Sequence, residues 1–113
     1  MRNIVCIALI ALSFNVQAQK KELRKIDKLV LESFWEEAKD ELENSKSLIL
    51  SSEDKYKAQY YFYDAKVSNE LKDFKNAINS LNSLNKLNPN SNLPSKLELD
   101  YSNLGLVLSL IHI

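Results

Sequence analysis

The chain has 113 residues with 15 basic and 15 acidic side chains, so its formal charge is zero and nothing points to a polyanionic partner such as nucleic acid. One Gly, two Pro and one Cys exclude a collagen-like chain, a flexible linker, a disulfide scaffold and a Cys-based zinc module. The composition, 45% hydrophobic and 27% charged, is that of a globular chain with room for one small domain, and the scarcity of Gly beside abundant Leu, Lys, Glu, Asn and Ser predicts helices, because sheets need Gly-bearing turns.

The first 18 residues read as an export signal. Arg2 supplies a positive start, residues 4–14 (IVCIALIALSF) form an unbroken run of apolar and small residues, and Val16-Gln17-Ala18 has the small-residue spacing that signal peptidase cuts. A run of 11 residues is short of the roughly 20 needed to span a bilayer as a helix. Membrane contact is therefore expected only through the transient signal. Cys6 lies near the start of the run, whereas a lipid-modified Cys should end one. The mature chain would begin at Gln19 with 14 basic and 15 acidic residues and no Cys, in the periplasm or envelope of a bacterial cell.

From Lys20 onward apolar residues recur three and four apart, which predicts helices throughout. Leu23, Ile26, Leu29 and Val30 mark the first. Ser33 with Glu36 has the capping-box spacing and opens a second, over 34–50, with Trp35, Ala38, Leu42, Ser45 and Ile49 on one stripe. The polar cluster Ser51-Ser52-Glu53-Asp54 breaks the pattern and can cap the next helix. A third helix, about 55–71, is dense in aromatics: Tyr56, Tyr60, Tyr61, Phe62 and Tyr63. Tyr60, Phe62 and Tyr63 cannot share one side, so at least one is expected on a partly exposed face. Asp73 caps a fourth helix, about 74–87, with Ala77, Ile78, Leu81, Leu84 and Leu87 inward, and Asn88-Pro89-Asn90 stops it. A polar loop, 91–95, leads to a last helix over about 96–110. The prediction is an all-α fold of about five helices after the signal.

The chain also repeats itself. Phe34-Trp35-Glu36-Glu37-Ala38 with Leu42 overlays Asp73-Phe74-Lys75-Asn76-Ala77 with Leu81 at an offset of 39, and Tyr61 and Ala65 overlay Tyr101 and Gly105 at 40. Such a period marks stacked hairpins. Recurring small residues, Ala38, Ala65, Ala77 and Gly105, would let helix backbones approach, while Tyr61, Trp35, Phe74 and Leu81 fill the space beside them.

On these residues the chain resembles the tetratricopeptide repeat (TPR) family. Tyr61, Ala65, Ala77, Leu81, Leu84 and Pro89 match one complete helix-turn-helix unit. Tyr101, Leu104 and Gly105 resemble the opening of the next, and Trp35, Ala38 and Leu42 the second helix of the preceding one. The resemblance implies stacked antiparallel hairpins in an α-solenoid over 19–113, with hairpins at about 19–52 and 55–90 and an incomplete third from about 96. The family period is about 34, so the extra residues fall in the polar connections. Asp64 stands where the family usually has an apolar residue, and the first unit lacks a closing Pro. The resemblance further implies a concave groove lined by the first helix of each hairpin, here Gln59, Phe62, Lys66, Asn69 and Glu70, where a ring beside Lys and Asn suits an extended peptide.

The last hairpin would leave Leu104, Leu106, Val107, Leu108, Leu110 and Ile111 without a partner helix. Either that edge docks on a protein, a second copy included, or the sequence is an N-terminal fragment of a longer repeat protein. The final Ser-Leu-Ile-His-Ile resembles tails left by adapter read-through, so His112, the single His, is given no role. No nucleophile–His pair, metal-ligand spacing or Gly-rich phosphate loop is present, and Glu36-Glu37 with Asp40-Glu41, interleaved with Lys39, reads as a solvated face rather than a cation site. The expected function is a non-catalytic scaffold without metal or cofactor that binds a protein or peptide in the bacterial envelope. Its rivals are the repeat segment of a larger enzyme or outer-membrane assembly factor, and a self-associating structural protein.

Overall fold

A computed structural model describes residues 2–111, with side chains from 17 to 110. Among these residues the protein is all-helical, without a strand: α1 (Arg2–Leu31), α2 (Trp35–Leu50), α3 (Asp54–Glu70), α4 (Phe74–Asn85), a single turn α5 (Pro89–Asn92), a 3-10 turn (Ser95–Leu97) and α6 (Glu98–Ile111). α1 packs on α2 and α3. α3 also touches α2, α4, α5 and α6, and α4 touches α6. No described helix is long and apolar enough to cross a membrane. The apolar run at 4–14 with Cys6, and the tail with His112, lie outside the described side chains.

The two tight connections have the same backbone. Ser33 (φ 61°) and Lys72 (φ 65°) both sit in the left-handed region. The amide of the following residue donates back across the turn in each case, Phe34 to the Leu29 carbonyl (2.9 Å) and Asp73 to the Ser68 carbonyl (2.8 Å). Both are Schellman closures, and the residue that completes each closure also begins the next helix, with φ/ψ of −86°/73° at Phe34 and −88°/73° at Asp73. Equivalent positions are 39 residues apart. Ala38 and Ala77 then fall at the same place one turn into the second helix, and both are fully buried.

This geometry corrects the expected capping box. Ser33 is the left-handed residue of the turn, and Phe34 starts α2 with no side-chain cap. Asp73 does cap α4, accepting from the Asn76 amide at 3.3 Å. Glu53 rather than Ser51 or Ser52 precedes α3, without a capping bond. The two serine hydroxyls turn back instead onto the Leu48 and Ile49 carbonyls and satisfy the end of α2.

Stripe residues Ala38, Leu42, Ser45 and Ile49 of α2 are buried as expected, with Trp35 half-buried against the core. α3 departs from expectation. Tyr56, Tyr60, Phe62 and Tyr63 are all buried, and only Tyr61 is half-exposed. Three elements after it and two before it cover most of α3, so the requirement for an exposed ring among Tyr60, Phe62 and Tyr63 does not hold.

The expected loop at 91–95 is instead α5 followed by the 3-10 turn. Asn88 takes a left-handed conformation (φ 52°) before Pro89, and Leu93 and Leu97 bury into the core from this connection. It also shifts the phase of α6. The hydroxyl that reaches back to the preceding second helix is Tyr60 in α3, donating to the Leu42 carbonyl at 3.2 Å, and Tyr101 in α6, donating to Asn85 Oδ1. Tyr60, not Tyr61, is thus the counterpart of Tyr101 in this contact.

On α6, Leu104 and Leu108 are buried beside Ala65 and Ala77, contrary to the expectation that they would lack a partner. Leu99, Leu106, Val107 and Leu110 are exposed. Gly105 meets nothing within 4 Å of where a Cβ would stand, so no backbone approach among the described residues requires it.

Asp64, where the resemblance implied an apolar residue, sits in a polar cluster between helices. It is 8% exposed and accepts from Asn76 Nδ2 (3.0 Å) and the Ser80 hydroxyl, both on α4, while Lys39 Nζ of α2 lies 3.6 Å away. Asn76 Nδ2 also donates to the Ser68 hydroxyl at 2.7 Å. One carboxylate therefore ties three helices together. No buried side-chain polar atom among the described residues lacks a partner, as a low-dielectric interior demands.

Two stability outcomes follow from this packing. Ser33→Gly and Lys72→Gly each relieve a left-handed side-chain residue, a gain of about 0.5–1 kcal/mol after the flexibility that Gly adds to the unfolded chain, to be read from urea midpoints. Asp64→Ala leaves Ser80 and Lys39 without their acceptor and Asn76 with Ser68 alone, and costs about 2–3 kcal/mol. A double cycle with Ser80→Ala should show coupling, whereas additive effects would mean that the bond does not stabilise the fold.

Candidate ligand-binding face

α1, α3 and α6 lie next to one another, and two hollows open along α3. The first, of about 470 Å³, has Leu23, Tyr56 and Tyr63 as its apolar floor, Lys20, Arg24 and Lys96 at its rim, and Asp27 and Gln59 between. The second, of about 160 Å³, runs between Lys66, Asn69 and Glu70 of α3 and Asp100, Asn103, Leu104 and Val107 of α6.

The five residues expected to line a groove are thus divided. Lys66, Asn69 and Glu70 share the second hollow, and Gln59 belongs to the first. Phe62 is a correction: it is buried, packs edge-on against Tyr63 with ring centres 5.4 Å apart, and lines neither hollow. The open side of α3 follows Tyr56, Gln59, Tyr63, Lys66 and Glu70, steps of three and four residues that define one helix face. Phe62 is one position out of phase with that face.

Sequence reasoning missed Lys20, Arg24, Asp27 and Lys96. A signal for three of them was present: sliding the α3 face back by the repeat offset of 39 carries Gln59 onto Lys20, Tyr63 onto Arg24 and Lys66 onto Asp27. Lys96 had none, because its position depends on the short helix and 3-10 turn before α6.

Asp27 organises the first hollow. Its Oδ1 accepts from the Tyr63 hydroxyl at 2.6 Å, and its Oδ2 lies 3.5 Å from Lys96 Nζ. This joins α1, α3 and the approach to α6 at one carboxylate. Burial and then the bond to Asp27 push the Tyr63 phenol far above its usual range, and burial does the same for Tyr60. Both phenols therefore stay protonated at any physiological pH and cannot serve as bases. Across the second hollow Lys66 Nζ sits 3.1 Å from Asp100 Oδ2, a half-exposed pair of small energetic weight. On the flank of α1, Lys25 pairs with Glu41 of α2 at 3.0 Å. That bond holds the Glu41 carboxyl below its usual value, while burial, followed by the nearness of Glu41, raises Glu22. Glu36, Glu37 and Asp40 are exposed.

No three His, Cys, Asp or Glu residues stand together as a metal site among the described residues. The chemistry available in the hollows is charge, hydrogen bonding and apolar contact. No family model, curated protein or solved structure matches the chain.

The Tyr63–Asp27 bond carries a pH signature. A phenol whose pKa is higher folded than unfolded contributes stability that is complete below about pH 10 and lost as pH rises beyond it. Folding stability should therefore fall above about pH 10, and Tyr63→Phe should flatten that decline while costing about 1–2 kcal/mol at neutral pH. An unchanged alkaline profile in urea titrations of this variant would contradict the assignment.

Proposed function

We propose that the chain is a non-catalytic binding module of TPR-like stacked hairpins that holds a protein or peptide segment along α1, α3 and α6. Neither metal nor cofactor takes part. The observation that carries this reading is the coincidence of a repeated turn with a repeated neighbour pattern. α1–α2 and α3–α4 close through the same backbone geometry 39 residues apart. α1 touches α3 and α3 touches α6, while α2 and α4 each pack against the first helix that follows them. A stack of hairpins has this order of contacts, and its first helices line one continuous surface. Both hollows open on that surface.

Placement in a bacterial envelope rests on the character of residues 1–18. Gln19, the first residue of the mature chain in this reading, is buried and donates from its side-chain amide to the Leu48 carbonyl at 3.2 Å, so the mature chain would start at an anchored position. A second reading, that the repeats belong to a longer protein or pair with another copy, is favoured by the exposed leucines of α6: Leu99, Leu106 and Leu110.

Selection of random dodecapeptides on the full chain tests the first reading. Enriched peptides should share a pattern and lose about tenfold or more in affinity with Lys66→Ala combined with Asn69→Ala, while Lys75→Ala, an exposed residue of α4, leaves them unaffected. Failure to enrich any peptide, or enrichment that ignores the α3 changes, would sink the proposal.

A further inference from the structure

α1 sorts its charges by face. From Lys20 to Leu31 the exposed positions are Lys20, Lys21, Arg24, Lys25, Lys28 and Leu31, which at 3.6 residues per turn fall within an arc of about 140°. All of these except Leu31 are cations, and none is a carboxylate. The two carboxylates of the same stretch are half-buried on other sides of the helix, Glu22 beside Glu41 of α2 and Asp27 against the Tyr63 hydroxyl and Lys96. Leu23, Ile26 and Val30 fill the core side.

Little compensates this face. Among the described residues Lys25 pairs with Glu41 at 3.0 Å, while no carboxylate lies within ion-pair distance of Lys20, Lys21, Arg24 or Lys28. On α2 and α3, by contrast, Lys39, Lys57 and Lys66 each have one. A formal charge of zero thus conceals a segregated positive surface.

The class of partner follows from what precedes these cations. α1 begins at Arg2, so the apolar run 4–14 belongs to the same helix, and Lys20 follows Phe14 by about 9 Å at 1.5 Å per residue. An apolar segment next to clustered cations suits an anionic bilayer, where hydrocarbon takes the first and headgroup phosphates take the second. Nucleic acid offers the apolar run nothing.

We propose that this face of α1 lies on an anionic phospholipid surface, with Lys20, Lys21, Arg24 and Lys28 against the headgroup phosphates. The apolar run brings the face to a bilayer, and the cations keep it there once the run is cut away. The inference goes beyond the peptide-binding reading and does not depend on it. Each cation close to such a surface strengthens binding about fivefold.

Co-sedimentation of the full chain with vesicles of phosphatidylcholine, alone or mixed with phosphatidylglycerol, tests this. The mixed vesicles should bind about tenfold or more tightly than the neutral ones, and raising NaCl from about 100 to about 500 mM should remove most of that preference. Lys20→Gln with Lys21→Gln and Lys28→Gln should cut the preference to about threefold or less and leave binding to neutral vesicles unchanged. Lys46→Gln with Lys75→Gln and Lys86→Gln, at three exposed positions on other elements, should keep it. Lys21→Gln alone should lower it about fivefold, so a triple variant that failed to fold would not spare the proposal. Equal binding of both vesicles, binding of neither, a preference that survives the α1 changes, or the same loss in the control variant overturns the inference. So does binding of short duplex DNA as tightly as the mixed vesicles, which would show a face that takes any polyanion. The dodecapeptide selection stands or falls separately.

Discussion

The structure depends on the burial of α3 by the helices around it. A 17-residue helix that meets five other elements can keep polar side chains only where another chain segment satisfies them, because an unpaired buried group costs more than a paired one returns. Each buried side-chain polar atom along it has such a partner. The Tyr60 hydroxyl is taken by the Leu42 carbonyl of α2, the Tyr63 hydroxyl by Asp27 of α1, and Asp64 by Asn76, Ser80 and Lys39. These bonds also specify direction. A leucine at 64 could slide along α4, whereas a carboxylate between Asn76 and Ser80, one turn apart, fits a single register. The surrounding helices are thus positioned by what the central one must hide.

The same burial explains the small residues. Ala38, Ala58, Ala65 and Ala77 are all fully buried, and each packs within a hydrophobic cluster between helices. A close-packed interior makes such positions exacting. Gly105, which shares a repeat position with Ala65 by sequence, meets no such restriction. The difference lies in the neighbours: Ala65 is enclosed between α4 and α6, while the corresponding side of α6 faces outward beside the exposed Leu106.

How far the sequence discloses this fold can be followed residue by residue. Periodicity locates all five long helices, because apolar residues three and four apart report burial directly, and the offset of 39 reflects an actual repetition of backbone geometry. Ser33 misleads because a hydroxyl three residues before Glu36 has the composition of a cap, while its left-handed backbone depends on the Schellman closure, which composition does not encode. Leu93 and Leu97 were hidden by their surroundings of Asn, Ser and Pro, whose propensity for turns masks two leucines that tertiary packing pulls inward. Phe62 fails for a different reason. On a helix packed against five other elements, the apolar period is a weak guide to inside and outside, and a face assigned by analogy can be out by one residue.

The residues that shape the first hollow show why a site of this kind escapes local reading. Lys20 and Arg24 are ordinary surface cations on α1, Asp27 is an ordinary partner for a nearby lysine, and Lys96 stands in a polar connection 69 residues from Asp27. They come together only in the fold, where the Tyr63 hydroxyl of the middle helix donates to Asp27 Oδ1 and Lys96 approaches Oδ2, and where three cations and one carboxylate line the same hollow. The neutral phenol orients the Asp27 carboxylate without cancelling its charge. A buried hydroxyl that must be satisfied thus fixes where the one negative charge of the hollow stands, and the excess of positive charge comes from the cations that α1 and the turn before α6 bring beside it. At the other end of α3, Glu70 and Asp100 outnumber Lys66, so the two hollows differ in sign.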